Sequence, residues 1–148
     1  MKIEIINESA KRLNNKLFEK IFDWFIDDEL FKKKDFCCLK IVGNDEIRSV
    51  NKKYRGINEN TDVLSFPSQC KVTSFIGDIL INIEIIEQQK IAHTLEQELA
   101  ILFIHGLLHL KGMDHISTKE KETMLFYENK YRNKLVSLIP FYQLKTKE

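Results

Sequence analysis

At 148 residues the chain has room for one domain and not for two comfortable ones. Its 43% hydrophobic and 30% charged residues, with only 5 Gly and 2 Pro, describe an ordinary globular chain and exclude a collagen-like or disordered one. A formal net charge of +1 supplies no global field toward nucleic acid or membrane, so a polyanion would have to meet a local basic patch.

The longest mostly apolar run, residues 99–110, is 12 residues and contains two histidines and a glycine, too short and too polar to span a bilayer. Glu4 and Glu8 stand where a signal peptide would need apolar residues. Cys37 and Cys38 are adjacent and only Cys70 lies elsewhere, which argues against a disulfide framework and for a reducing compartment. A single cytoplasmic domain, residues 1–148, is the expectation. Of the 23 basic residues only Arg12, Arg48, Arg55 and Arg132 are arginines.

In chain order, residues 2–6 (KIEII) read as a first strand. Ser9 is a candidate cap for a helix whose apolar positions Leu13, Leu17, Ile21, Trp24, Phe25 and Leu30 recur every three or four residues. Residues 36–42 (FCCLKIV) form a second strand, apolar on both faces and therefore central. Strand, helix and strand in this order predict a right-handed parallel crossover. Asn44 is expected to cap a short helix with Ile47, Val50 and Tyr54 on one face and Gly56 as its stop. Residues 61–66 (TDVLSF) make a third strand ended by Pro67, and residues 75–81 (FIGDILI) a fourth, after which Asn82 caps a helix.

Thr94 and Gln97 form a capping box that opens an apolar helix running to Lys111 and stopping at Gly112. Ser117 and Glu120 form a second box, starting a last helix through about Val136. Residues 145–148 read as a frayed tail. The expected fold class is α/β (α+β): a four-stranded, mostly parallel mixed sheet packed with about five helices, with the metal-binding helix in the C-terminal half.

The chemistry is concentrated in HGLLHLKGMDH, residues 105–115. His105 and His109 are four apart on a predicted helix and share one face. Gly112 lets the chain fold back, so that His115 can return to the same side. Three neutral imidazoles converging on a point make a His₃ metal site with an open fourth position, the arrangement that catalytic zinc needs. His93 reads as an ordinary hydrogen-bonded histidine.

The spacing coincides with the HExxHxxGxxH pattern of the metzincin proteases, with one disagreement: Gly106 stands where those enzymes carry their general-base Glu. Glycine can neither polarise water nor accept a proton, so the metal-binding half of the pattern survives without the proteolytic half. Asp114 reads equally as an orienting carboxylate or an exposed turn residue. Arg55 offers a permanently charged planar fork suited to a phosphate, and taken alone reads equally as a surface salt-bridge residue. Lys52 and Lys53 extend that patch or are solvated lysines. Asp62 and Ser65 read mainly as architecture, the glycine before Asp78 marks a bulge or close backbone approach, residues 32–34 are a solvated lysine run, and Cys37 and Cys38 are core residues.

Three segments in order, VNKKYRGINENTDVLSFP (50–67), GDI (77–79) and HGLLHLKGMDH (105–115), resemble the YbeY family of bacterial rRNA-maturation endoribonucleases. The resemblance is dense over about residues 50–115 and general in layout outside them. It implies that His105, His109 and His115 bind one metal ion, usually taken as zinc, with nickel or another divalent transition metal possible in purified samples. It also implies that Arg55 is a functional, catalytic residue. Met113 departs from the family, which usually has an aromatic there.

The implied activity is metal-dependent cleavage of single-stranded RNA, linked to maturation of the 16S rRNA 3′ end and to ribosome quality control. Implied partners are rRNA of the small ribosomal subunit and its assembly proteins, with no membrane. The residues leave two alternatives open: a metallohydrolase of another substrate class, such as peptides, and a ribosome-assembly binding factor whose metal is structural.

Overall fold

A computed structural model describes residues 2–70, 72–89, 94–113 and 117–146. The elements are β1 (Ile3–Asn7), α1 (Asn15–Asp27), β2 (Phe36–Val42), α2 (Asn44–Arg55), β3 (Val63–Pro67), β4 (Phe75–Asn82), α3 (Ile83–Gln89), α4 (Leu95–Leu110) and α5 (Thr118–Thr146). The strands make one sheet in the order β1-β2-β4-β3. β1, β2 and β4 run parallel, and β3 lies antiparallel on the edge beside β4.

Alternation along the strands gives the sheet two unlike faces. Ile3, Cys37, Leu39, Ile41, Ile79 and Ile81 point to one side and join a single core with Phe18, Phe22 and Phe25 of α1 and Leu99, Phe103 and Leu107 of α4. Phe18 meets Phe103 edge-on at 5.4 Å between ring centroids, an arrangement that suits the aromatic quadrupoles. α5 closes this layer through Met124, Tyr131 and Leu135. Tyr131 stacks on Phe25 at 4.4 Å, and its hydroxyl donates to Asp28 Oδ2 at 2.7 Å. Burial pushes the Asp28 carboxyl up, but hydrogen bonds from Lys130 and Tyr131 outweigh it and leave the group below its usual range.

The other face carries Glu4, Cys38, Lys40, Asp78 and Leu80, and α2 packs against it. Its apolar cluster is small: Val42, Ile47, Leu64 and Leu80, with Val50 and Phe66 partly buried beside them. β2 is therefore central as expected, but only one of its faces is sealed.

Several boundaries differ from the sequence reading. α1 starts at Asn15, capped by Asn14, because Ser9 is drawn back into a turn in which its N–H and hydroxyl both donate to Asn7 Oδ1. Leu30 lies beyond the end of that helix. Gly43, not Asn44, is the N-cap of α2; the Asn44 side chain is engaged by Asn82 and Glu84 instead. Tyr54 is 64% exposed rather than buried with Ile47. α5 continues past Val136 to Thr146, through Pro140. The Asn82 cap, the Thr94 capping box, the Ser117 cap and the left-handed Gly56 and Gly112 stand where the sequence put them.

Candidate metal centre and cleft

α4 is apolar on nearly every side because the sheet, α1, α3 and α5 all pack against it. Its last turn breaks that pattern. His105 and His109, one turn apart, emerge half-buried with their Nε2 atoms 2.9 Å apart and their ring centroids at 4.5 Å. The helix stops where Gly112, at φ 97°, turns the chain, its N–H donating to the His109 carbonyl.

Behind His105 stands Glu128 of α5, its Oε1 3.1 Å from His105 Nδ1. A carboxylate accepting from Nδ1–H selects the tautomer in which the lone pair is on Nε2, the atom turned toward His109. Two imidazole nitrogens at the usual ~2.0–2.1 Å from a tetrahedral zinc stand about 3.3–3.4 Å apart. The observed separation is a few tenths of an ångström shorter, so this pair, backed by Glu128, fits a transition-metal ion. Among the described residues no group of three or more His, Cys, Asp or Glu is arranged to hold a metal. His115, which the sequence assigns as third ligand, and its neighbour Asp114 lie outside the described residues, as does His93.

Gly106 faces the sheet, not the cleft. A Cβ there would stand 2.9 Å from Ile79 Cγ2 and 3.1 Å from Ser65 Oγ. Its lack of a side chain lets α4 lie close against β3 and β4, and Ser65 Oγ donates to the Gly106 carbonyl at 3.4 Å. A glutamate at this position would have to push aside the Ile79 and Ser65 side chains.

A cleft of about 640 Å³ runs along β3. His105, His109, Gly112 and Met113 form one wall, and Thr61, Asp62, Ser65 and Pro67 another. Arg55, the last residue of α2, closes it from the opposite side of the sheet. Arg55 and the two histidines, 50 and more positions apart in the chain, thus share one cavity because the edge strand is too narrow to separate the two layers. No carboxylate among the described residues forms a salt bridge with Arg55.

A smaller cavity of about 270 Å³ adjoins on the far side of His105, lined by Asp62, Ile101, Glu128 and Arg132 among others. Glu128 and Arg132 were missed by the sequence reading. The signal for Glu128 was its register: it lies four residues after Met124 and three before Tyr131, on the buried stripe of α5, where a carboxylate asks for a partner.

The other candidates separate cleanly. Asp78 lies with Cys38 and Glu4 on the face of the sheet away from α4, so it does not face the histidines. Burial chiefly, and the Glu4 charge, push its carboxyl above the usual value against a hydrogen bond from Cys38. The close approach expected beside it is real: a Cβ on Gly77 would stand 2.4 Å from the Phe66 carbonyl oxygen. Lys52 and Lys53 are exposed, as are Lys32, Lys33 and Lys34. Cys37 is buried and Cys38 half-buried; neither is bonded to another cysteine.

The family model for Endoribonuclease YbeY matches residues 3–136. This chain belongs to the YbeY endoribonuclease family. Similar proteins named endoribonuclease YbeY include those from Acholeplasma laidlawii, 38% identical over 119 residues (79% of this chain and 85% of the relative), and from Buchnera aphidicola, 37% identical over 132 residues (84% of each). A third, from Helicobacter pylori, is 35% identical over 122 residues, covering 81% of this chain and 83% of the relative. The YbeY fold described above is similar to the solution structure of TM1509 from Thermotoga maritima, with a TM-score of 0.63 and 28% identity over 99% of this chain and 95% of that one.

Proposed function

We propose that the chain is a metal-dependent endoribonuclease that cuts single-stranded RNA in the cleft along β3, with the 3′ end of 16S rRNA as its substrate in the cytoplasm. Kinship with proteins named as endoribonucleases supports the activity. The observation that carries the site is the meeting, in one cavity, of paired imidazoles with an arginine that has no salt-bridge partner among the described residues.

His105 and His109 would hold one zinc or similar divalent ion through Nε2, with His115, two residues after the cleft residue Met113, as third ligand. The bound ion would supply Lewis-acid polarisation of a phosphodiester and proton release from water near neutral pH. Glu128 holds His105 in the required tautomer. Arg55 binds two phosphate oxygens through its planar fork and balances the charge that grows as the phosphorus is attacked. Lys52 and Lys53 continue the positive charge along the strand's backbone. Small-subunit assembly proteins are the expected partners.

The absence of a side chain at Gly106 speaks against peptide hydrolysis, since the base that zinc peptidases carry there has no room. The test is cleavage of a labelled single-stranded RNA by the purified protein beside identically prepared His109→Ala and Arg55→Ala. Loss of activity in the first variant and a fall on the order of 10²–10³-fold in the second are expected. Equal activity in all three would sink the proposal. Metal bound in the wild type without any cleavage would favour a structural ion in an assembly factor.

A further inference from the structure

Tyr54 is out of place. Its register with Ile47 and Val50 would bury it, yet it is 64% exposed, while Ile47 is fully covered. The cause is geometric: α2 reaches the rim of the sheet at its last turn, so the residue one turn beyond Val50 overhangs the edge strand. The ring is nevertheless held. It leans on Phe66 at 5.7 Å and 60°, a tilted contact, and Lys53 Nζ lies 5.2 Å from its centroid. Phe66 belongs to the α2-side cluster with Ile47 and Leu64; Leu64 lines the cleft, and so does Arg55, the residue after Tyr54. A positioned, exposed aromatic ring thus stands on the last turn of α2 beside the cleft residue Arg55, in a run with Lys52 and Lys53.

We infer that Tyr54 is a stacking platform for one unpaired nucleobase, the base of a nucleotide adjoining the phosphate held by Arg55. This subsite rests on the endoribonuclease reading given above. Three features select a nucleobase. Single-stranded nucleic acid is gripped by a positive track for its backbone combined with aromatic rings on which bases stack, and both are present within four consecutive residues. None of the three cations has a salt-bridge partner among the described residues, which favours a polyanion over an apolar peptide. The lysine over the ring is an exposed cation–π contact, weak enough to be exchanged for a phosphate when the strand enters.

Stacking on any base also fits a site with little sequence preference, because every base has a π face.

The test compares the wild type with Tyr54→Phe, Tyr54→Trp and Tyr54→Leu. The probe is a fluorescein-labelled twelve-nucleotide single-stranded RNA, used intact and with one abasic position moved stepwise along it. Tyr54→Leu is expected to weaken binding roughly 5- to 150-fold and raise KM alike, while Phe and Trp stay within about threefold of wild type. At one position the abasic RNA should lose the same factor against wild type and lose nothing further against Tyr54→Leu. That cycle isolates stacking from any effect on folding, since a loosened fold would weaken intact and abasic strands equally.

Wild-type cleavage with unchanged binding by Tyr54→Leu would overturn the subsite and leave the endoribonuclease reading standing. Losses that add at every abasic position would do the same. A wild type that neither binds nor cuts the strand would overturn both.

Discussion

The two faces of the sheet were built by the same alternation of residues and ended with opposite properties. On the α4 side, strand residues meet three helices and form a dry core around Phe18, Phe103 and Tyr131. On the α2 side a single short helix contributes Ile47 to a four-residue cluster, while Cys38, Lys40 and Asp78 stay half-buried and Glu4 is exposed. The closed face supplies the rigidity that two imidazoles need to converge, because α4 cannot shift without disturbing the whole core. The open face supplies the exposed cations and aromatic ring. The cleft lies at the one edge where both can reach, along β3.

Removing a side chain from each face should break this contrast most visibly. Phe103→Ala on the closed face is expected to cost about 3–5 kcal/mol, and Leu80→Ala on the open face about 2 kcal/mol, read from urea unfolding midpoints. Comparable losses would mean that the open face is as well packed as the closed one.

A second test enlarges a residue on the closed side. Gly106→Val places carbon against Ile79 and Ser65 and should destabilise the fold by about 1–3 kcal/mol. Because the strain falls between α4 and β3, zinc affinity should drop with it. Unchanged stability would mean that α4 has freedom that the close approach denies.

Glu128 joins α5 to the site. Glu128→Ala is expected to lower zinc affinity about 10- to 100-fold in competition with a chromophoric chelator, and Glu128→Gln, which can still accept a hydrogen bond, by less. Equal affinity in all three proteins would remove Glu128 from the site.

The smallest effect belongs to the open face. Asp78 titrates above its ordinary value of 3.8, so its charged form is disfavoured in the folded chain. That cost is absent below the unfolded value and fully present above the raised folded one. Asp78→Asn should therefore match wild type at low pH and become the more stable protein as pH rises toward neutral. A variant less stable at neutral pH would show that the carboxylate has a favourable partner.

Much of this molecule is legible in its sequence. β2 falls on residues 36–42 as read, and β1, β3 and β4 lie within two residues of their expected ends, since period-2 patterning and Pro67 mark them locally. The cap residues Asn82, Thr94 and Ser117 act within three or four residues and were equally plain. Ser9 failed because its hydroxyl had a nearer acceptor in Asn7, a choice that capping preference alone does not rank. Tyr54 failed because periodicity reports which side of a helix a residue is on, not whether the sheet extends beneath it.

The sequence by itself determined that His105 and His109 share a helical face, that Gly106 leaves no base beside them and that Gly112 ends the helix, because each depends on contacts within one or two turns. Only the tertiary structure decided that Arg55 meets them across an edge strand and that Glu128, 23 residues beyond His105, stands behind its ring. Those meetings are set by how layers pack, and a pattern read along the chain carries no record of which faces will be pressed together.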